Sequence, residues 1–567
     1  MAGDADPMAG AERKAPPQPR HSASLIVLRD SNDGLEVLML RRAERAGDQN
    51  SGAAVFPGGH LDAEDKLAHP FADGFDDGRA SALLGRSPGG LDYWVAAIRE
   101  CFEEAGLLLA VNAAGQWVDL AAFGDDLVLA MRHDLHAGRV DLATLCQRHG
   151  WRLATDRLHY FSHWLTPPGR PKRFDTRFLI TVAPPRQRAS ADETESAELM
   201  WLKPADALAA ERKLKLMLVT EETLRTLATF RRADDAIAFA AQPRAVPLTM
   251  PRIGSSAKGM RPVLPSHWAY AEIGRLDPDG RGDIGIELVP GRAVRLSPRI
   301  VRVTADNGSV MTGPGTNSYF VGDPGGGPCA LIDPGPDDPA HVKALLAAAP
   351  GPITRILVTH THKDHSPAAQ AMHKATGAPL FGRVADYPEW QDAAFTPHTV
   401  LGQGERVLLG EDCTLRVVHT PGHASNHLCY LLEQEQLLFT GDHLMQGSTV
   451  VINPPDGDMQ AYLHSLRALL ELELEWLAPG HGFLIDQPHQ VVNRTIAHRL
   501  QREAKVVDAL RSTGGGDVDA LLPVVYSDVP ERMHPVAARS LRAHLLKLRA
   551  DGRAVESGAR WSLRDAG

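Results

Sequence analysis

Two apolar runs near the start of the chain, Ser24–Arg29 and Leu35–Leu40, flank the polar turn Asp30–Gly34 and predict a β-hairpin. Val55-Phe56 then enters a glycine turn at Pro57-Gly58-Gly59 that continues through His60-Leu61. Further on, Ile98, Cys101, Phe102 and Ala105 recur at i, i+3, i+4 and i+7, the spacing of one helix face, with Glu100, Glu103 and Glu104 on the other. From Gln242 to about Arg292, prolines and glycines interrupt every period and predict a connector, although the aromatic pair in Ser266–Tyr270 is expected to pack on a neighbour. Strand-like runs at Arg299–Val303, Ala330–Ile332 and Ile353–Val358 alternate with a helical pattern over His341–Ala349, which predicts a layered α/β domain. The tail reads as helices over Gln490–Leu510 and His534–Arg549, then a short hairpin from Arg553–Glu556 to Arg560–Leu563.

With 567 residues the chain exceeds one hydrophobic core, and two to four domains are expected. Hydrophobic content of 43% supports globular folding, and a formal charge of -10 gives no global attraction to nucleic acid or membrane. Five cysteines without a CxxC pair argue against a disulfide framework or a cysteine zinc site and fit a reducing compartment. Residues 1–20 lack the apolar core of a signal peptide, and no run is long enough to span a bilayer, so a cytoplasmic, membrane-free protein is expected.

The chemistry concentrates in Thr359-His360-Thr361-His362-Lys363-Asp364-His365-Ser366, at the end of a predicted buried strand. Burying three imidazoles and a carboxylate unpaired would be costly, and a metal removes that cost. Nitrogen and carboxylate oxygen without thiolate suit Zn(II), Mn(II) or Fe(II), with further ligands required from elsewhere. His423, Asp442 and His481 supply the same ligand types, each at a tight turn after an apolar run. On the glutamate helix, three like charges at i+3 and i+4 ask for a cation, for which Mg(II) is the natural candidate; an exposed acidic helix ending at Gly106 is the alternative.

Arg99, Glu100, Glu103, Glu104, Gly106 and Leu107, with Phe56-Pro57-Gly58-Gly59 and Glu64, resemble the Nudix box, interrupted by an insertion from about Asp65 to Asp92. The insertion, His163–Pro167 and Arg173–Phe178 are similar to the subgroup that includes peroxisomal coenzyme A diphosphatases. This resemblance, over residues 21 to 232, implies that Glu100, Glu103 and Glu104 hold Mg(II) or Mn(II) on the diphosphate of a nucleoside derivative and that Arg99 orients a carboxylate. Residues 293 to 490 resemble the metallo-β-lactamase fold family. That implies two Zn(II), with Mn or Fe as alternatives: His360, His362 and His423 on the first, Asp364, His365 and His481 on the second, and Asp442 bridging. Two ions of this kind lower the pKa of a shared water. Asp364 is the candidate general base, and Asp333 is expected to orient the site. His373, His398, His419, His443 and His464 are expected to be surface or structural, while His427 is balanced between structure and function.

Thr312–Tyr319, Gly447–Val450 and the tail look like the β-lactamase-like protein 2 group, which includes a single-stranded RNA endonuclease. The tail resembles a winged helix, and residues 534 to 567 hold seven basic side chains against three acidic ones, a surplus that either steers a phosphate backbone or merely solvates a helical cap. The expected order is a disordered lead over 1–20, a Nudix-like α/β/α sandwich over 21–241, a connector over 242–292, a metallo-β-lactamase αββα sandwich over 293–489 and a winged-helix-like domain over 490–567. The fold class is therefore α/β and α+β multidomain. Phosphodiester cleavage, as of single-stranded RNA, is favoured for the second half and diphosphate hydrolysis for the first. The alternatives are acyl-thioester hydrolysis beside a coenzyme A diphosphatase, and a Nudix-like half that binds without catalysis. Oligomeric state is not legible.

Overall fold

The structure, a computed structural model, describes residues 16–44, 51–192, 196–324 and 326–564. Most of the expected lead, residues 1–15, lies outside the described residues; Arg20 already begins the first strand. Contacts divide the chain into two compact units, Met1–Ile253 with Asp279–Arg281, and Gly254–Pro278 with Gly282–Gly567.

The first unit is built on a nine-stranded sheet whose centre is Arg20–Ser31. This strand runs antiparallel to Gly34–Arg42, as the hairpin pattern predicts, and parallel to Phe174–Val182. Its apolar residues alternate: Leu25 and Val27 enter one core with Trp94, Ile98 and Phe102, while Ile26 and Leu28 enter the other with Phe161, Leu224 and Leu227. A strand covered on both faces carries a continuous apolar run, which is why period two is invisible in Leu-Ile-Val-Leu. Helices on both faces make an α/β/α sandwich. The helix Leu91–Ala105 covers one face and ends at Gly106 in the left-handed conformation. The insertion folds as a 3-10 turn over Ala63–Phe71 and a helix over Asp77–Leu84.

The second unit stacks two sheets. One contains Ile300–Thr304, Asn317–Gly322, Cys329–Ile332 and Ile353–Leu357 in that order; the other contains Thr414–His419, Leu428–Leu432, Leu437–Gly441 and Trp476–Pro479. Tyr319, Ile332 and Leu357 from the first meet Val417, Tyr430 and Phe439 from the second. Helices Pro339–Ala348 and Ala369–Thr376 pack outside the first sheet, and Met459–Leu469 outside the second, giving an αββα order. Pro488–Thr513, Val518–Val525, His534–Ala550 and the terminal hairpin form a winged-helix region around Leu510, Leu541, Leu545 and Trp561. Pro523 hid the middle helix from the periodicity; its N-cap, where the Asp517 side chain accepts from Ala520 N, is the signal that marks it.

Much of the stretch read as a connector is built into the second unit. Val263, Ala269, Ile273 and Ile286 form a core with Phe483, and Glu272 accepts from both terminal nitrogens of buried Arg302 at 2.7 and 2.9 Å. Trp268 packs against Gly447, so the neighbour its aromatic character called for lies in the second unit. All five cysteines are free and buried, and no helix among the described residues is long and apolar enough to cross a membrane.

Candidate functional site

In the second unit, strand ends of both sheets converge. His360, His362, Asp364 and His365 follow Ile353–Leu357, His423 follows Thr414–His419, Asp442 follows Leu437–Gly441, and His481 follows Trp476–Pro479. Backbone pairing ends at these turns, so their side chains are free to face a common space. His360 Nε2 and His423 Nε2 each lie 3.0 Å from His362 Nδ1. Asp442 Oδ1 lies 3.4 Å from His365 Nε2 and 3.2 Å from His481 Nε2, while its Oδ2 lies 3.7 Å from His423 Nε2. Asp364 Oδ2 is 3.4 Å from the Nε2 atoms of both His365 and His481. The result is two groups, His360 with His362 and His423, and Asp364 with His365, Asp442 and His481, and within each the donor atoms lie within 4.8 Å of one another.

Outer hydrogen bonds set which nitrogen faces inward. His365 Nδ1 sits 2.9 Å from Asp333 Oδ2, and Asp333 also accepts from the Thr359 amide and hydroxyl at 2.7 Å each. His423 Nδ1 donates to Val451 O at 2.7 Å and His481 Nδ1 to Gly315 O at 3.1 Å. Each contact fixes a tautomer and leaves Nε2 for a ligand. His427 Nε2 accepts from the Asp442 amide at 3.2 Å, so this histidine steadies a ligand-bearing turn. Packing is so close at Gly480 that a Cβ there would stand 2.8 Å from His365 Cε1 and 2.9 Å from Asp442 Oδ1. Of the remaining histidines, His443 is buried beside His427 and His464 is exposed.

The donor set fits a divalent ion pair. His365 Nε2, His481 Nε2 and Asp442 Oδ1 are buried without a hydrogen-bond partner, an arrangement that is costly unless a cation satisfies them together. Burial and the neighbouring His423 hold His362 near a pKa of about 3, in the neutral, ligating form. Burial alone would lower His481, but Asp442 and Asp364 push it up to about 9.

In the first unit, Glu103 and Glu104 are only 6% and 8% exposed, which removes the exposed acidic helix as a reading. Arg99 Nη1 donates to Glu100 at 2.9 Å and lies 3.4 Å from Glu103, and Glu104 accepts from Gly58 N at 2.9 Å. Burial, then Glu103 opposing the Arg99 charge, pushes Glu100 up to about 7. A Cβ at Gly59 would stand 2.2 Å from Glu100 Oε1, so the glycine turn lets backbone lie directly on the carboxylate. Arg99 also reaches buried Asp65, by Nε at 2.8 Å and Nη2 at 3.3 Å, while Glu64 is exposed. Asp65 closes a capping box with Asp62, which turns it inward.

Other parts of the second unit bear on its substrate. Of the seven basic side chains in the tail, Lys547 binds Glu503 and Asp551, Arg549 binds Glu556, Arg553 binds Glu503, and Arg560 donates to Gly514 O. The segments around the metal-ligand groups expose large apolar side chains. Trp390 is 59% exposed and precedes Gln391, which bridges to His362; Met311 and Val310 lie in the loop before Thr316, which bridges to His481. The Arg539 guanidinium lies 5.3 Å from the centroid of the Trp390 ring.

Residues 311–481 match the family described as the metallo-beta-lactamase superfamily, and residues 518–561 the beta-lactamase associated winged helix domain. Residues 19–128 match the NUDIX domain and residues 78–221 the NUDT19 Nudix domain. The chain is 32% identical over 281 residues to the beta-lactamase-like protein 2 homolog of Drosophila melanogaster, covering 47% of this chain and 92% of that protein. It is 33% identical over 274 residues to the atrochrysone carboxyl ACP thioesterase of Aspergillus chevalieri, covering 45% of this chain and 83% of that one. Among solved structures, a NUDIX hydrolase from Alicyclobacillus acidocaldarius is 26% identical, with a TM-score of 0.33, over 39% of this chain and 96% of that one.

Proposed function

The chain belongs to the metallo-beta-lactamase superfamily and carries a Nudix-family domain ahead of that part, and from this premise we propose a bifunctional, metal-dependent hydrolase. The observation that carries the reading is the convergence of seven ligand-type side chains with three orphaned inward atoms. His360, His362 and His423 would hold one ion, Asp364, His365 and His481 the other, with Asp442 facing both groups. Five imidazoles and two carboxylates favour Zn(II), with Mn or Fe as alternatives. Such ions, when bound, would supply a water that ionises near neutral pH and a Lewis acid for the scissile group. Asp364, the most exposed of the carboxylates there, takes the proton from the attacking water, while Asp333 and His427 keep His365 and Asp442 in place.

For the substrate of this half, acyl-thioester hydrolysis is the better reading. Four of the seven basic side chains that favoured a phosphate backbone are already engaged within the fold. Apolar side chains flank the ligand-type residues instead, as an acyl group requires, and a relative 33% identical over 274 residues of this part bears a thioesterase name. Cleavage of single-stranded RNA is the second reading, favoured by the exposed Trp390 with Arg539 over its face, an arrangement that stacks bases. In the Nudix-family domain, Glu100, Glu103 and Glu104 hold Mg(II) or Mn(II) on the diphosphate of a nucleoside derivative, and Arg99 with Asp65 locks their turn. The free cysteines suit a cytoplasmic location.

Purified, metal-loaded protein is offered an acyl-coenzyme A thioester and a labelled RNA oligomer. Thioester turnover that disappears in Asp442→Asn is expected; RNA cleavage with the same dependence would replace the first reading by the second, and activity on neither would defeat both.

A further inference from the structure

The ligand-type histidines of the second unit differ in what holds their outer nitrogens. His365 is held by a side chain, Asp333, whereas His423 is held by a backbone carbonyl, Val451 O, which accepts from its Nδ1 at 2.7 Å. That carbonyl lies between Leu437–Gly441 and Met459–Leu469, where the chain forms neither helix nor strand. No backbone ladder fixes it, so its position depends on what packs against the loop.

What packs there comes from the tail. Val450 and Ile452, on either side of Val451, are buried in one core with Val492 of Pro488–Thr513 and Ala543 of His534–Ala550. Arg499, on the first of these helices and only 3% exposed, donates from Nη2 to Val450 O. Its guanidinium also lies 5.3 Å from the centroid of the Tyr462 ring. Tyr462 in turn touches the turns of both ligand groups. Its hydroxyl donates at 2.8 Å to the carbonyl of His443, next to Asp442, and a Cβ on Gly422, next to His423, would stand 2.3 Å from Tyr462 Cα.

Arg499 is an expensive way to fill this space. Among the described residues no carboxylate pairs with it, and its Nε is buried without a hydrogen-bond partner. Arg502 on the same helix, by contrast, has Asp528 at 2.7 Å. A buried guanidinium without a counter-charge is costly, and an apolar side chain of similar length would pack there at less cost. What only the cation supplies is a directed, charge-assisted bond to the carbonyl adjoining the one that His423 uses.

We propose that Arg499 is a positioning residue for His423, acting through the Val450-Val451 backbone, so that the winged-helix region completes the three-histidine group. The proposal rests on the two-ion reading above and gives the tail a part in ion binding.

The test titrates the full-length, Zn(II)-loaded chain with a chelator, comparing wild type with Arg499→Met, Arg499→Lys and, as a control on the same helix, Arg502→Met. Arg499→Met should weaken one ion by about 10- to 100-fold and leave the other unchanged. Lysine, which keeps a charged donor for Val450 O, should recover much of that loss, and Arg502→Met should show none of it. Adding Asp333→Asn, which acts on the other group through His365, should weaken both ions, with losses that add. Where thermal melting shows that Arg499→Met does not fold, Arg499→Gln, whose shorter side chain stops short of Val450 O, carries the same expectation. Unaltered affinity, equal weakening of both ions, or the same loss in Arg502→Met overturns the positioning role. If wild type retains no ion, the two-ion reading fails separately, and hydrogen exchange over residues 447–453 of the metal-free chain decides. Faster exchange in Arg499→Met than in Arg502→Met upholds Arg499 as the residue that fixes the acceptor of His423, and equal exchange overturns it.

Discussion

The histidine-rich cluster of the second unit and the glutamate helix of the first both bury several metal-seeking side chains, and they stabilise that burial differently. In the cluster, outer nitrogens are tied to neutral carbonyls or to Asp333, so three inward atoms are left unpaired. On the helix, Arg99 already sits among Asp65, Glu100 and Glu103, a counter-charge that is part of the fold. The first arrangement is oriented but incomplete without a cation; the second is partly neutralised by the protein. Metal therefore matters to the integrity of the cluster and mainly to the chemistry of the helix.

The strongest way to break this contrast is Asp442→Asn. Losing the one side chain that faces both ligand groups should reduce turnover in the second half by on the order of 10³-fold and bring metal content below two ions, with diphosphate hydrolysis unchanged. Metal analysis beside the two assays checks it. Glu103→Gln should do the reverse, lowering diphosphate hydrolysis by about 10²-fold or more while thioester turnover and the ion content of the cluster hold; equal loss of both would dissolve the distinction. Asp333→Asn tests the outer bonds, since its amide no longer attracts the His365 Nδ1 proton as strongly. A loss of roughly 10- to 100-fold in metal affinity is expected, measured by competition with a chelator.

Asp65→Ala sharpens the other side. Removing one partner of the buried Arg99 pair should cost the first unit about 3 kcal/mol, seen in denaturant unfolding and not rescued by added Zn(II). The smallest effect concerns pH. His544 is buried with both ring nitrogens unpaired, and burial, with Arg499, Lys547, Arg502 and His498 nearby, lowers it from 6.5 to about 3. Between these values the unfolded chain holds a proton the folded chain does not, so stability falls as pH drops below 6.5. The slope contributed is about 1.4 kcal/mol per pH unit at most. His544→Leu should flatten the pH dependence of the second unit's melting relative to wild type.

Much of the site was readable because its chemistry needs uncommon residues at particular places. Three imidazoles and a carboxylate packed into His360–His365 have few uses besides a metal, and the same residue types after later apolar runs announced their partners. The central hairpin was equally plain from the turn between its two apolar runs. Other features left no such trace. The acceptors for His423 and His481 are the carbonyls of Val451 and Gly315, which any residue could supply. That the carboxylate of Asp65 faces Arg99 depends on a capping box, a local backbone geometry, that turns it inward. The proline-rich stretch concealed Glu272, whose partner Arg302 identifies itself only once the strand carrying it is placed.

The order of amino acids by itself determined the inventory of ligand-type side chains, the two families and most elements, since these follow from side-chain type and local period. Tertiary structure alone decided which lone pairs meet, which carboxylates face Arg99, how the tail's cations are engaged, and that the Nudix insertion lines one side of a pocket. The reason is range: propensity and periodicity act over one or two turns of chain, whereas the distances that make a binding site are set by packing between segments remote in sequence.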